Sequence, residues 1–195
     1  MSVPGRRPAA VLLAPGASAS RDQSALVAMD IALSAAGMAV ARMDFPYRKA
    51  GRRAPDREPV LLAAVAEEAA ALARAAGCRP EEVALGGRSM GGRMCSLAVA
   101  DGLPAAALLL VSYPLHPPGR PEKLRTSHFP RLFVPCLFVS GTRDAFGAPA
   151  ELTAATEAIA GPVTHRWLEG RDHGMRGADA AVAELVREFV TALAG

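Results

Sequence analysis

Residues 85–93 read Leu-Gly-Gly-Arg-Ser-Met-Gly-Gly-Arg, which places the pattern Gly-x-Ser-x-Gly between a short apolar run and a stretch of helical period. This pattern is typical of a sharp turn from strand to helix that holds its central serine in a strained backbone conformation. Such a turn needs residues without side chains two positions to either side, and Gly87 and Gly91 flank Ser89 in this way. We therefore expect the Ser89 hydroxyl to stand above the carboxyl edge of a sheet.

Two other interpretations of this stretch stay open, because Gly-x-Ser-x-Gly also occurs by chance. One is a glycine-rich turn that binds phosphate, and the other is a tight turn without chemistry. The chain lacks the motifs of known phosphate-binding turns, since neither Gly-Lys followed by Ser or Thr nor Gly-x-Gly-x-x-Gly is present.

Apolar runs of strand length alternate with stretches of helical period along the rest of the chain. Strands are predicted at residues 9–14, 38–43, 82–86, 105–112, 132–140 and 163–168. Helices are predicted at residues 24–36, 60–76, 90–100, 149–160 and 178–194. The pattern predicts a single α/β domain over residues 1–195, a three-layer sandwich with a mainly parallel sheet of about six strands. Flavodoxin-like and Rossmann-like sheets share this alternation, so the turns must distinguish them.

Composition excludes several classes of protein. The 195 residues are 51% apolar with a net charge of +3, enough for a buried core and too apolar for a disordered tail. The three cysteines form no Cys-x-x-Cys pair, so we expect neither a disulfide framework nor a metal site. We also expect no organic cofactor. No run is long enough to span a membrane, and Pro15 ends the first apolar run too early for a signal peptide. A soluble, cytoplasmic protein without a membrane partner is expected.

The basic excess is mostly arginine spread along the chain, and only residues 48–53 cluster. A nucleic-acid binder usually adds stacking aromatic residues or a recognisable module to such a patch. Only Phe45 and Tyr47 are near this cluster. We therefore expect no nucleic-acid partner.

A serine nucleophile needs a histidine to accept its proton and a carboxylate to orient that histidine. In this architecture the chain order is serine, acid, histidine. Asp144 follows the predicted strand at 132–140, and His173 follows the next strand, 29 residues after Asp144. Asp144 could instead only cap a helix, and His173 could be a surface residue. Because all three stand at the ends of successive strands in the required order, we predict a catalytic triad of Ser89, Asp144 and His173.

An oxyanion hole requires two N–H groups near the nucleophile. The N–H of Met90, at the start of the predicted helix, is the first candidate. The second should come from the turn after the first strand, where Ala17 is the best candidate because Gly16 permits close approach.

Several stretches carry a resemblance to a known family. These are residues 44–47, 51–53, 55–57, 86–93, 113–119 and 128–130. The chain resembles the α/β-hydrolases from Ala9 to Ala194, and more narrowly the small cap-less group related to dienelactone hydrolases. That group includes the testis-expressed protein thirty of animals and a scaffold subunit of the NSL histone-acetyltransferase complex. The resemblance implies a sheet without the first two strands of larger members, and the same triad. Pro15 departs from the pattern, because relatives commonly carry His there.

The segment at residues 113–130 stands where larger hydrolases insert a helical cap, and it is too short to form one. An open, shallow site for a small acyl substrate is therefore expected. Candidate substrate-binding residues are Arg53, Arg88, His116 and His128. Arginines 52, 53, 57, 88 and 93 could recognise a carboxylate or phosphate, but we favour ion pairs with Asp44, Asp56 and Glu58.

These observations predict a serine hydrolase that cleaves a small carboxylic ester or thioester through an acyl-enzyme. We expect it to be a monomer or a homodimer. The alternative is a non-catalytic hydrolase-fold protein that binds a partner or acts as a scaffold. The predicted triad favours the hydrolase.

Overall fold

The computed structural model describes residues 7–193. Residues 1–6 of the predicted domain, and residues 194–195 with the last position of its final predicted helix, lie outside the described part. The strands are β1 Ala10–Ala14, β2 Ala39–Arg42, β3 Val83–Arg88, β4 Leu108–Val111, β5 Cys136–Gly141 and β6 Val163–Leu168. The helices are α1 Ser24–Ala35, α2 Pro46–Lys49, α3 Glu58–Ala76, α4 Met90–Ala100, α5 Pro149–Thr156 and α6 Asp179–Ala192.

The six strands form one parallel sheet in the order β2-β1-β3-β4-β5-β6. Successive side chains of a strand point to opposite faces, and β1 shows this directly: Leu12 packs on one core and Leu13 on the other. Helices α3, α4 and α5 cover the first face, and α1 and α6 cover the second. The predicted six-stranded, three-layer α/β sandwich is confirmed.

The fifth strand begins later than predicted. Pro135 has no N–H to donate to a neighbouring strand, and β5 starts at the next residue, Cys136. The residues before Pro135 form a short 3₁₀ turn, Phe129–Arg131, followed by irregular chain. This turn is the only regular structure assigned between β4 and β5 in the described chain, so no separate cap is present there.

The strand order reverses at β1, because the chain runs outward to β2 and then crosses to β3 on the other side. In parallel sheets such a reversal opens a crevice at the carboxyl ends of the two central strands. Ala14 at the end of β1 pairs in register with Gly87 near the end of β3. The turn after β1 and the turn after β3 therefore meet at this crevice.

Candidate active site

Ser89 sits between β3 and α4 with φ of 50° and ψ of −116°. This conformation is rare for a residue with a side chain, and its N–H is fixed by a 2.8 Å hydrogen bond to the carbonyl of Val111. The glycines of the pattern serve the close approach of β1: a Cβ on Gly87 or Gly91 would stand 2.0 or 2.2 Å from the oxygen of Ala14. The predicted strand-to-helix turn is thus present, with both glycines required by contact.

The structure brings Ser89, His173 and Asp144 into one hydrogen-bonded chain. Ser89 Oγ lies 2.8 Å from His173 Nε2, and His173 Nδ1 lies 2.9 and 3.0 Å from the two carboxylate oxygens of Asp144. The carboxylate of Asp144 is 1% exposed and the His173 side chain 21% exposed. This arrangement allows the imidazole to take a proton from the serine while the carboxylate keeps Nδ1 protonated.

The loops after β5 and β6 are joined by backbone bonds that set Asp144 against His173. Thr142 donates its N–H to Leu168 O at 3.1 Å, and Arg143 donates to Arg171 O at 2.9 Å. A Cβ on Gly141 would stand 2.1 Å from the same Arg171 oxygen, so glycine permits this approach. These bonds hold Asp144 and His173 beside each other, although 29 residues separate them in the sequence.

Two residues hold His173 from other sides. The ring of Phe146 stacks on its imidazole, and the Phe146 N–H donates to Asp144 Oδ1 at 2.8 Å. The Arg88 Nη2 donates to the backbone oxygen of His173 at 2.5 Å. Phe146 was not found from the sequence, because its only signal is its position two residues after the acid.

Arg88, predicted to bind substrate, lines the cavity next to Ser89. Burial lowers the pKa of its guanidinium, and the negative charges of Asp179, Asp144 and Asp172 oppose that shift. Its hydrogen bond goes to the backbone of His173, so Arg88 both lines the cavity and contacts the loop that carries His173.

Ser89 and His173 open into a cavity of about 520 Å³, to which the turn after β1 contributes Gly16 and Ala17. Gly16 donates its N–H to Gln23 Oε1 at 3.1 Å, and Ser18 donates to the hydroxyl of Tyr47 at 3.1 Å. Between them, the N–H of Ala17 has no acceptor in residues 7–193.

Met90 also lines the cavity, and as the first residue of α4 it has no helical acceptor for its N–H. Both predicted oxyanion donors, Met90 and Ala17, therefore stand at the cavity that contains Ser89. Gln23 and Tyr47, which hold the turn, were not assigned a role from the sequence because each is remote from Ser89 along the chain.

A family of proteins described as "Alpha/beta hydrolase domain" matches residues 7–190. The chain belongs to this alpha/beta hydrolase family. The fold is shared with Est1E from Butyrivibrio proteoclasticus, at TM-score 0.78 and 16% identity, over 97% of this chain and 89% of that one.

Two further solved structures have the same fold. An alpha-beta serine hydrolase homologue from Coxiella burnetii gives TM-score 0.77 at 17% identity, over 95% of this chain and 86% of that one. Dienelactone hydrolase from Anabaena variabilis gives TM-score 0.70 at 21% identity, over 97% of this chain and 88% of that one. At such identities the likeness extends to the fold alone, which agrees with the predicted α/β-hydrolase architecture.

Three residues expected to line the pocket of this alpha/beta hydrolase lie elsewhere. His128 is buried, with Nε2 2.9 Å from Ser96 Oγ, and burial together with Arg93 lowers its pKa to about 4. His116 is buried too, with Nδ1 2.8 Å from the oxygen of Pro117. The His128 ring thus binds helix α4 and the His116 ring binds its own loop, so neither ring faces the cavity.

Arg53 is exposed and contributes no wall to the cavity. Its backbone oxygen accepts the hydroxyl of Ser18 at 3.2 Å, so it contacts the turn after β1 through the main chain only. The prediction that its side chain lies at the pocket is therefore wrong, because this part of the loop after β2 is exposed to solvent.

The ion pairs favoured for the loop arginines are present in part. Arg52 pairs with Asp56 at 2.7 Å, and Glu58 pairs with Arg93 at 3.0 Å. Asp44 instead lies 3.9 Å from Arg21 and accepts its backbone N–H at 2.8 Å. The expected ion pair between Asp44 and an arginine of the loop after β2 is therefore wrong, because Arg21 binds this carboxylate instead.

No group of three or more histidine, cysteine, aspartate or glutamate side chains suited to a metal ion occurs in residues 7–193 of this hydrolase. Over the same residues, none of its helices has the length and apolar character needed to cross a bilayer. Cys95 and Cys136 are buried, and burial raises the pKa of each thiol to about 12, which keeps both protonated and unreactive.

Proposed function

We propose that this alpha/beta hydrolase is a serine hydrolase that cleaves small carboxylic esters or thioesters through an acyl-enzyme. The observation that carries the proposal is the unbroken chain from Ser89 Oγ through His173 to the buried carboxylate of Asp144, opening into a cavity. A carboxylate buried against Nδ1 fixes the tautomer in which Nε2 can accept a proton. A structural role alone does not require a strained serine at the cavity surface.

In the acylation step, Ser89 Oγ forms a bond to the acyl carbon as His173 Nε2 takes the hydroxyl proton. The carbonyl oxygen gains negative charge, and the N–H groups of Met90 and Ala17 stabilise it. As the tetrahedral intermediate collapses, the bond to the leaving oxygen or sulfur breaks, and His173 returns its proton to that atom.

In deacylation a water molecule gives its proton to His173 and its oxygen to the acyl carbon of the Ser89 ester. The second tetrahedral intermediate uses the same two N–H donors. Its collapse releases the carboxylic acid product as His173 returns the proton to Ser89 Oγ. Asp144 stays ionised throughout and stabilises the imidazolium that forms twice per cycle.

The absence of a cap over residues 113–130 supports a preference for small or protruding acyl groups. We further propose kinship with the cap-less group that includes the testis-expressed protein thirty and the NSL scaffold subunit, on the stretches quoted above. Since that group includes scaffold proteins, a non-catalytic role is the competing outcome of the test below.

A fluorophosphonate probe tests the proposal, because it reacts with activated serines. Folded wild-type chain should be labelled and should hydrolyse short-chain p-nitrophenyl esters. Ser89→Ala should lose both, whereas Ser20→Ala, which changes a serine on the neighbouring turn, should keep both. Wild-type chain that is folded by circular dichroism yet remains unlabelled and inactive contradicts the hydrolase proposal and favours a partner-binding protein.

A further inference from the structure

The cavity wall is strongly positive. Arg88, Arg93 and Arg125 all line it, whereas none of its lining residues is an aspartate or glutamate. The nearest carboxylate to the reacting groups, Asp144, is buried behind His173. A neutral ester gives such a wall nothing to neutralise, so the charge requires another explanation.

Arg125 is held in place by its backbone, unlike the charged residues just before it. Its N–H donates to Leu115 O at 2.8 Å, and its carbonyl accepts the hydroxyl of Tyr113 at 2.7 Å. Arg120 and Lys123, on the same loop, are exposed. The loop is therefore tied to the end of β4 at Arg125, and the guanidinium is brought to the cavity.

The Arg125 guanidinium has little to bind within the protein. Its one hydrogen bond among residues 7–193 runs from Nη1 to Pro114 O at 3.4 Å, and no carboxylate of that range lies within 4 Å. A guanidinium has five N–H donors, so most of this one's capacity is unused. Burial and the neighbouring charge of Arg93 lower the pKa of Arg125, which indicates that the two side chains repel each other.

Arg93 is only partly neutralised. Its Nη2 binds Glu58 at 3.0 Å, while its Nε is buried without a partner among the described residues. An anion placed between Arg93 and Arg125 would satisfy both guanidiniums and relieve their repulsion. A planar carboxylate can accept two parallel hydrogen bonds from a guanidinium.

We infer that the substrate of this site carries a carboxylate in addition to the scissile ester, and that Arg125, with Arg93, binds it. The inference rests on the proposed serine hydrolase and adds the class of substrate. It moves anion recognition from Arg52, Arg53 and Arg57, which do not line the cavity, to the loop after β4. Arg125 is a binding residue, and the ester chemistry stays with Ser89 and His173.

Matched ester pairs test the inference. Mono-p-nitrophenyl adipate and its methyl ester differ in one negative charge, as do 4-acetoxybenzoate and methyl 4-acetoxybenzoate, which place that charge on the other side of the ester. The wild-type chain should prefer the anionic member of at least one pair by roughly 10-fold or more in kcat/KM. Arg125→Gln should reduce that preference several-fold, through a higher KM for the anionic ester.

Arg120→Gln is the control, because it removes the same charge from the same loop at an exposed position away from the cavity. It should keep the preference, whereas long-range electrostatic attraction would make both variants lose it equally. Equal loss in both variants, or equal turnover of both members of both pairs by the wild type, overturns the inference and leaves the Ser89-dependent hydrolase standing.

A binding experiment separates the inference from the hydrolase proposal. Calorimetry of the Ser89→Ala chain should show the acid of at least one pair, monomethyl against dimethyl adipate or 4-acetoxybenzoate against its methyl ester, binding at least several-fold tighter than the neutral member. Adding Arg125→Gln should reduce this difference several-fold. This result supports the anion site even if the wild-type chain hydrolyses no ester. Equal binding within both pairs overturns it, whatever the result of fluorophosphonate labelling.

Discussion

The rings of Phe146 and His173 stack with their centroids 4.0 Å apart and their planes 29° from parallel. The same phenylalanine donates its backbone N–H to Asp144. One residue thus contacts both His173 and Asp144, and its ring packs against a face of the imidazole. In the proposed mechanism a proton moves between Ser89 Oγ and His173 Nε2, so the orientation of the imidazole should affect the rate.

Phe146→Ala should lower kcat for a small ester by roughly 3- to 10-fold, since an aromatic pair contributes about that much in equilibrium terms. The backbone bond to Asp144 remains in this variant, so the loss reports on the ring. Steady-state kinetics should show the change mainly in kcat. Phe133→Ala is the control, because this residue is 66% exposed, and it should leave kcat unchanged.

Tyr47→Phe should weaken the turn that carries Ala17. The Tyr47 hydroxyl accepts the Ser18 N–H, and removing it leaves a partly buried donor without its partner. We expect the free energy of unfolding to fall by about 1 to 2 kcal/mol. The rate of acylation should fall several-fold, because the neighbouring N–H shifts from the oxyanion. Reduced stability with an unchanged kcat would contradict the positioning role of this hydroxyl.

Gly91→Ala should prevent close packing of α4 on β1. Its Cβ would stand 2.2 Å from the backbone oxygen of Ala14, so α4 and β1 would have to move apart. We expect a loss of about 3 kcal/mol in chemical denaturation. Gly16→Ala is the comparison: its Cβ would meet its nearest neighbours at 3.7 Å, an ordinary contact, and stability should hardly change. Similar stabilities of the two variants would refute the packing argument.

Acid should destabilise the protein through His128. Burial, with the charges of Arg93 and Arg131, lowers its pKa from 6.5 to about 4 in the folded state. Between these values the unfolded chain binds a proton that the folded chain does not, so the stabilisation present above pH 6.5 is lost as the pH falls towards 4.

By pH 5 this loss should amount to about 1 to 2 kcal/mol. Denaturation of wild type and His128→Asn at pH 7.5 and 5 measures it, since asparagine can still bind Ser96 but does not titrate. The difference between the two pH values should be smaller in the variant. An equal difference in both proteins would assign the acid sensitivity to other groups, such as His165, whose pKa burial also lowers.

Local sequence signals were enough to predict the parts of this site that depend on chain order. The glycines around Ser89 mark the turn from β3 to α4. Asp144 and His173 follow consecutive strands, so parallel topology alone places all three residues at one edge of the sheet. Such signals also sufficed for central strands of the sheet, because β1 and β4 are continuous apolar runs.

Contacts between distant loops could not be predicted in this way. Arg125 lies in a segment whose composition indicates only an irregular loop, and its place at the cavity depends on a bond to Tyr113. His116 and His128 lie in the same segment and looked equally suited to the pocket, yet their rings bind within the protein. Which side chain of a loop faces inward is decided by such tertiary bonds, and periodicity carries no information about them.

The loop that carries Arg125 joins β4 to β5, whereas Ser89, Asp144 and His173 follow β3, β5 and β6. The residues proposed to break the ester bond and the arginine proposed to bind the substrate carboxylate therefore lie in separate stretches of the sequence. Mutation can alter the length or charge of residues 117–125 without disturbing the reacting atoms. New specificities could evolve here by drift in one exposed loop, and a combinatorial library restricted to those nine positions would explore the same changes in the laboratory.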